Sequence, residues 1–356
     1  MAPKGPGWSS AGTSGTGGEN WDVLGYLRLK GLVDQRDLSA PVEMATRRNI
    51  SYRVFGNEHK LLVKRLRAGY QTNLLPMANE ASFLKTVRPV VEGVQIPSLI
   101  LFDIGEKCLI QEYLPSDGSL VHKLNAPDAS AALLFKSLAL SLARLHSTRL
   151  PKEAEDAATP YQVPARDLIC PRSNLLNVMS PSQVALLKVA QSSDSIRQAI
   201  HRSAEGWNAQ ALLHGDLRLD NVLVRPSDSI ALVDWECWGL GIPAWDVACP
   251  LADIVFSWIT RSLEVGEDAA ASHLRDIRIF SSQFWFSYAD SAGAVGADPL
   301  QVAMVADLIC CRLFQNAFES LTGEVEMNMF SVSALQFAHN LAESRLEIMS
   351  SVLGIT

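Results

Sequence analysis

The sequence predicts an α/β protein of the α+β kind, a small strand-rich part followed by a larger and mostly helical one. Three observations predict it. Short aliphatic and β-branched runs broken by turns fill the stretch from Val42 to Leu114. A second strand–turn–strand pattern lies much later, over residues 221–233. Around and beyond it, apolar residues recur at helical spacing. A chain of 356 residues is long enough for two such parts with substantial cores.

Met1 to about Asn20 is rich in Gly, Ser and Thr and has too little apolar surface to offset its ordering entropy, so a disordered tail is expected over 1–20. Trp21–Leu32 reads as a short amphipathic helix ended by Gly31. The strands follow: Val42–Met44, Ile50–Val54, a turn at Gly56-Asn57-Glu58, and Leu61–Lys64. Met77–Leu84 is a helix carrying Glu80. Leu99–Asp103 and Cys108–Leu114 are two further strands around the turn Ile104–Lys107, and the second runs into the polar turn Pro115–Gly118. This divides the chain into 21–114 and 115–356.

In the second part, Leu133, Leu134, Leu138, Leu142 and Leu145 share helical spacing and lead to His146, which reads as a core or capping residue. The proline-bearing stretch Leu150–Asn177 reads as a loop, and Pro181–Ala204 as one helix. After Val247 the pattern is helical, with Leu251, Ile254, Val255 and Trp258 on one face, and Val305, Leu308, Ile309 and Phe314 on a later one. A last helix is expected from about Ser331 to Leu353.

Composition narrows the function classes. Hydrophobic content of 48% with 19% charged residues describes a folded globular chain. A net charge of −7 argues against a nucleic-acid partner, whose phosphates call for a basic face. The six cysteines, at 108, 170, 237, 249, 310 and 311, have no CxxC spacing and read as free thiols in a reducing compartment. The first residues lack the apolar core of a signal peptide. The apolar stretch Leu251–Thr260 contains Asp253 and is too short for a bilayer. No membrane partner and a cytoplasmic location are therefore expected.

The chemistry concentrates in Ala211–Ala248. The apolar run Ala211-Leu212-Leu213 breaks into His214-Gly215-Asp216, the pattern of a buried strand that delivers a side chain to a cleft. Asn221 follows Asp216 by five residues and opens the hairpin, whose second strand ends at Asp234. Asp216, Asn221 and Asp234 thus come to one end of one hairpin, with side chains suited to hard cations and to a hydroxyl proton.

HGDLRLDN followed by LVDWE resembles the active site of the aminoglycoside phosphotransferase and choline kinase group, relatives of the protein kinases. The resemblance spans roughly residues 40–260 by motif. It implies a two-lobed protein-kinase-like fold, ATP and magnesium as cofactors, and transfer of the γ-phosphoryl group to a hydroxyl. Asp216 would then be the catalytic base, and Asn221 and Asp234 the magnesium ligands. Lys64, ending the LLVK strand, would contact the nucleotide phosphates, with Glu80 as its partner. Read alone, Lys64 is equally a solvated strand-end lysine and Glu80 a solvated helix-face acid. Glu112, Tyr113 and Leu114 correspond to the hinge against which adenine sits. His214 and Asp246 would support the catalytic loop, although Asp246 also reads as a helix cap. Trp235-Glu236, in place of Phe-Gly, resembles the small-molecule branch.

One departure stands out: the loop Ala45–Asn49 has no glycine. Arg47, Arg48 and Asn49 are candidates for covering the phosphates or meeting the acceptor, and the arginines are equally ordinary exposed loop residues. The acceptor stays open between a small polar molecule, aminoglycoside or metabolite, and Ser or Thr of a ribosomally made precursor peptide. The Arg47-Arg48-Asn49 loop, the Lys64 strand and the run to Glu80 also resemble the stand-alone phosphotransferases of class V lanthipeptide and thioamitide pathways, and that resemblance implies the latter acceptor together with a separate lyase. A pseudokinase-like binding module is a third reading, and retention of Lys64, Asp216, Asn221 and Asp234 argues against it.

Overall fold

The first part forms a five-stranded sheet whose central strands are covered on both faces. The structure, a computed structural model, describes residues 21–39, 42–46, 49–56, 60–67, 73–128, 130–158, 160–205, 211–264, 267–293 and 299–355. β1 (Val42–Thr46), β2 (Asn49–Phe55), β3 (Lys60–Leu66), β4 (Leu99–Asp103) and β5 (Cys108–Glu112) form one antiparallel sheet in the order β1-β2-β3-β5-β4.

On one face, Ile50, Tyr52, Val54, Leu61, Val63, Cys108 and Ile110 pack with Val23, Tyr26 and Leu27 of helix α1 (Val23–Leu29). On the other, Leu109 packs with Met77 and Ala81 of α2 (Leu75–Ser82). Two covered faces explain why Cys108-Leu109-Ile110 is a continuous buried run rather than an alternating one. The Asp22 carboxylate caps α1 by accepting the Gly25 N–H at 2.8 Å. Tyr26 fastens α1 to β4, its hydroxyl donating to Asp103 Oδ2 at 2.8 Å. α1 stops at Leu29, three residues short of the expected end, and Gly31 turns the chain at φ +69°.

The second part is mostly helical: α3 (Leu120–Asn125), α4 (Ala131–Ser147), α5 (Lys152–Ala157), α6 (Pro164–Ile169), α7 (Ser173–Leu176), α8 (Pro181–Ser192) and α9 (Asp194–Glu205) precede its strands. Two short antiparallel pairs follow, β6 (Ala211–Leu213) with β9 (Gly239–Gly241) and β7 (Val222–Val224) with β8 (Ile230–Leu232). Then come α10 (Ala244–Glu264), α11 (Glu267–Ser291), α12 (Pro299–Ser320), α13 (Met329–Glu343) and α14 (Arg345–Ser351). α12 is the central helix, packed against α6, α9, α10, α13 and α14. Accordingly Val305 to Phe314 is buried on every side.

Two expected single helices are each a pair. The Pro181–Ala204 pattern breaks at Ser193, which is extended (φ −88°, ψ 112°) and whose Oγ accepts the Ile196 N–H at 3.3 Å to start α9. In Ser192-Ser193-Asp194-Ser195 the side chains compete with the helix for backbone donors, which a hydrophobic period does not register. Likewise Ser344 (φ −124°, ψ 53°) separates α13 from α14. The stretch Leu150–Asn177, expected as a loop, contains α5, α6 and α7.

The chain divides into two compact units, one made of residues up to Lys85 with Pro97–Leu114, the other of Thr86–Ile96 with Pro115 onward. Arg144 Nη1 holds the Thr86–Ile96 segment in the second unit by donating to Gly93 O at 2.8 Å, and Leu232 N–H does so by donating to Gln95 O at 2.9 Å. No helix among the described residues is long and apolar enough to cross a membrane.

Candidate active site

In the first unit, strand parity sets the lysine. Lys64 pairs across the ladder with Leu109, the residue of β5 that packs on α2, so its side chain stands on the α2 face. There Lys64 Nζ lies 2.8 Å from both carboxylate oxygens of Glu80. Both side chains are largely withdrawn from solvent, which a lone ammonium or carboxylate resists and an ion pair tolerates.

The three expected hinge residues end this unit. Glu112 N–H donates to Ser98 O and Tyr113 N–H to Lys60 O, each at 2.9 Å. Leu114 N–H has no partner among the described residues. Glu112 Oε2 is itself engaged, accepting the Ser98 N–H at 3.2 Å and its hydroxyl at 3.1 Å. Asn49 is not a loop residue as expected. It belongs to β2 and pairs with Leu66, because the ladder of β2 with β3 runs one residue beyond that of β1 with β2. Ala45 and Thr46, also placed in the loop by the sequence, belong to β1. Arg47 and Arg48 lie outside the described residues.

In the second unit, β6 ends in a backbone that few side chains permit. Gly215 has φ +83°, and a Cβ there would lie 2.1 Å from Cys237 O. The turn is fixed from α10. Asp246 accepts the His214 N–H at 2.6 Å and the Gly215 N–H at 3.0 Å, and Trp245 Nε1 donates to Gly215 O at 2.8 Å. His146 on α4 adds a third contact to Asp246 at 3.4 Å, and its other ring nitrogen is 2.8 Å from the Tyr288 hydroxyl. His214 is fully buried, with Nε2 3.0 Å from Val233 O, to which it donates.

This leaves Asp216 at the start of a tight loop. Its carbonyl accepts the Arg218 N–H at 2.8 Å and Asn221 Nδ2 at 2.9 Å. Asn221 therefore spends its amide NH2 on the loop, and its Oδ1 remains available among the described residues. Asn221 O accepts the Val233 N–H at 3.0 Å, which sets Asp234 immediately beyond the same end of the β7–β8 hairpin. Asp234 adopts the left-handed conformation, φ 68° and ψ 60°, uncommon for a residue with a side chain. Among the described residues no three His, Cys, Asp or Glu side chains gather as a metal cage. Two oxygen donors on one hairpin fit a magnesium ion that keeps water and phosphate oxygens as its other ligands.

Sequence reasoning missed the neighbour of the Asp216 carboxylate. Arg312 of α12 is 1% exposed, and its Nη2 donates to Asp216 Oδ1 at 2.8 Å. Burial works against the guanidinium charge, but Cys249, Asp216, Asp253 and Glu319 outweigh it and raise its pKa above the ordinary value. Asp253 accepts the Leu219 N–H at 2.8 Å and Asn316 Nδ2 at 3.3 Å, and burial raises its pKa despite Arg312 and Arg218. Arg218 pairs with Glu319 at 3.2 Å. Tyr161, from the 150–177 stretch, is bound to β9 through its N–H on Leu240 O at 2.9 Å, and its ring edge would meet a Cβ at Gly215. Burial pushes the Cys237 thiol up to about 12, and the charges of Asp216, Glu236 and Asp234 add to it. One signal for Arg312 was in the sequence: a single charge inside Leu308-Ile309-Cys310-Cys311-Arg312-Leu313-Phe314.

A strand lysine paired with a helix glutamate, and an Asp-x4-Asn loop leading to a hairpin-end Asp, define a protein-kinase-like phosphotransferase by class. The family model described as phosphotransferase enzyme family matches residues 47–280, and the chain belongs to that family. Among solved structures it is similar to the choline kinase from Cryptosporidium parvum, at 12% identity and TM-score 0.59 over 93% of this chain and 97% of that one. It is also similar to an ethanolamine kinase from Plasmodium vivax, at 14% identity and TM-score 0.55 over 93% and 88%. At these identities the likeness is one of fold, and it bears out the kinase-like architecture expected from the motifs. A probable acyl-CoA dehydrogenase from Arabidopsis thaliana is 24% identical over 288 residues, 76% of this chain. The chain spans about a third of that relative's length, 34%.

Proposed function

We propose that the chain transfers the γ-phosphoryl group of ATP, with magnesium, to the hydroxyl of a small molecule. The observation that carries this reading is the bond from Asn221 Nδ2 to Asp216 O, 2.9 Å. It ties the proposed base and one proposed metal ligand into a single loop and leaves Asn221 Oδ1 without a partner among the described residues, available as a hard donor. Magnesium ATP would supply the phosphoryl group and neutralise its charge. Asn221 and Asp234 would hold the metal, Lys64, kept in place by Glu80, would contact phosphate oxygens, and Leu114 N–H would receive the base edge. Asp216 accepts the acceptor's hydroxyl proton as that oxygen bonds to phosphorus and the bond to the ADP oxygen breaks. Catalysis in this class is chiefly positioning and charge neutralisation, and the tightly fixed loop suits both.

The names of the choline and ethanolamine kinases support a small alcohol as acceptor. A peptide hydroxyl, with a lyase downstream, is the other acceptor class. The test is incubation with magnesium ATP and a panel of choline, ethanolamine, an aminoglycoside and a Ser/Thr peptide library, read by mass. A gain of one phosphate on a small alcohol supports the proposal. A gain on peptide alone moves the acceptor to the peptide class, and no gain on any, despite nucleotide binding, favours a binding module.

A further inference from the structure

We infer that Arg312 is the positioning residue of Asp216, clamping one carboxylate oxygen so that the other is presented to the acceptor hydroxyl. This rests on the phosphotransferase reading of Asp216. A guanidinium at 1% exposure in the central helix is costly unless paired, so its partner is informative. Asp253 is the acid with more hydrogen bonds to the protein around it, to Leu219 N–H and Asn316 Nδ2. Yet the guanidinium hydrogen bond goes to Asp216 Oδ1, at 2.8 Å.

The pair is also unequal in access. Asp216 retains 25% of its side-chain exposure against 1% for Arg312, so the arginine grips from behind while the carboxylate faces out. Asp216 Oδ2 has no hydrogen-bond partner among the described residues, and the main-chain carbonyl of Asp216 is already taken by Arg218 N–H and Asn221 Nδ2. The carboxylate would otherwise rotate freely about its side-chain torsions. With Oδ1 held, a single oxygen with a fixed direction remains for the proton. Arg218, although only two residues from Asp216, is turned to Glu319 and does not perform this task.

The test compares wild type, Arg312→Lys and Arg312→Ala of the full chain, using whichever acceptor of the panel gains phosphate. For Arg312→Ala we expect kcat to fall by about a hundredfold, as for a misplaced catalytic group, with KM for ATP unchanged. Millimolar methylguanidinium, which fits the vacated space, should restore part of kcat, and Arg312→Lys should lie between. Thermal unfolding of Arg312→Ala, Asp216→Asn and the double variant keeps the pair testable if the alanine variant is unstable: the double variant should be more stable than additivity of the two singles allows. Wild-type kcat in Arg312→Ala or Arg312→Lys, a loss confined to KM, or additive stabilities would overturn the inference. A wild type that phosphorylates nothing would instead overturn the reading of Asp216 itself.

Discussion

Asp246 Oδ1 accepts the Gly215 N–H at 3.0 Å, binding the first turn of α10 to the glycine that precedes Asp216. The other carboxylate oxygen takes His214 N–H at 2.6 Å. Both amides and the carboxylate are buried. Asp246→Ala leaves two buried donors without an acceptor, at about 1–3 kcal/mol each. A clear fall in melting temperature is expected together with loss of activity, and a smaller fall for Asp246→Asn, which keeps one acceptor oxygen. An unchanged melting temperature in the alanine variant would show that the bonds are replaced by water.

Gly215→Ala should fail for two independent reasons. Positive φ disfavours any side chain by on the order of 1–3 kcal/mol, and the new methyl would collide with the Cys237 carbonyl, 2.1 Å from its Cβ. Reduced soluble yield and a lower urea midpoint are the expected readouts. A variant with wild-type stability would mean that the turn can relax away from the Cys237 carbonyl.

Thiol chemistry separates one cysteine from five. Cys170 is exposed, whereas burial pushes Cys237 and Cys311 up to about 12 and raises Cys108, Cys249 and Cys310. Since the thiolate is the nucleophile, native protein treated with iodoacetamide at pH 8 should gain one adduct, mapped to Cys170. Early labelling of Cys237 would contradict the tight packing beside Asp216.

Asp253 gives a pH dependence with a definite sign. Burial raises its folded pKa above the unfolded value, so the folded state binds its proton more tightly. The stability it contributes is full below about pH 4, the unfolded carboxyl range, and is lost as pH rises through the raised folded pKa. Urea midpoints measured from pH 4 to 7 should therefore fall more steeply for wild type than for Asp253→Asn. Parallel pH curves would remove Asp253 from the account.

Much of the site was legible because its signals are local. Asp216, Asn221 and Asp234 are joined by one loop and one hairpin, and their spacing is written in consecutive residues. The Lys64–Glu80 pair spans a strand and the next helix, and resemblance to the kinase pattern supplied it. Arg312 is 96 positions from Asp216, and its meeting with it depends on how α12 packs within the helical unit. Asp307, on the same helix, is a second such case: it pairs with Arg202 at 2.7 Å and with Arg345 at 3.1 Å, joining α9, α12 and α14. A hydrophobic period identifies the helix but not the partner of its buried charges. The break at Ser193 escaped for a related reason, since its side-chain cap on the Ile196 N–H overrides a continuous apolar period; at Ser344 the backbone leaves the helical region without such a cap.

The most direct test of the account is single-turnover transfer of labelled γ-phosphate by wild type and Asp216→Asn, alongside ATP binding. A rate lower by about 10²–10⁴ in the variant, the range for loss of a general base, with ATP affinity unchanged, is the expected result. Transfer at the wild-type rate by Asp216→Asn would contradict the assignment of the base and, with it, the reading of the loop.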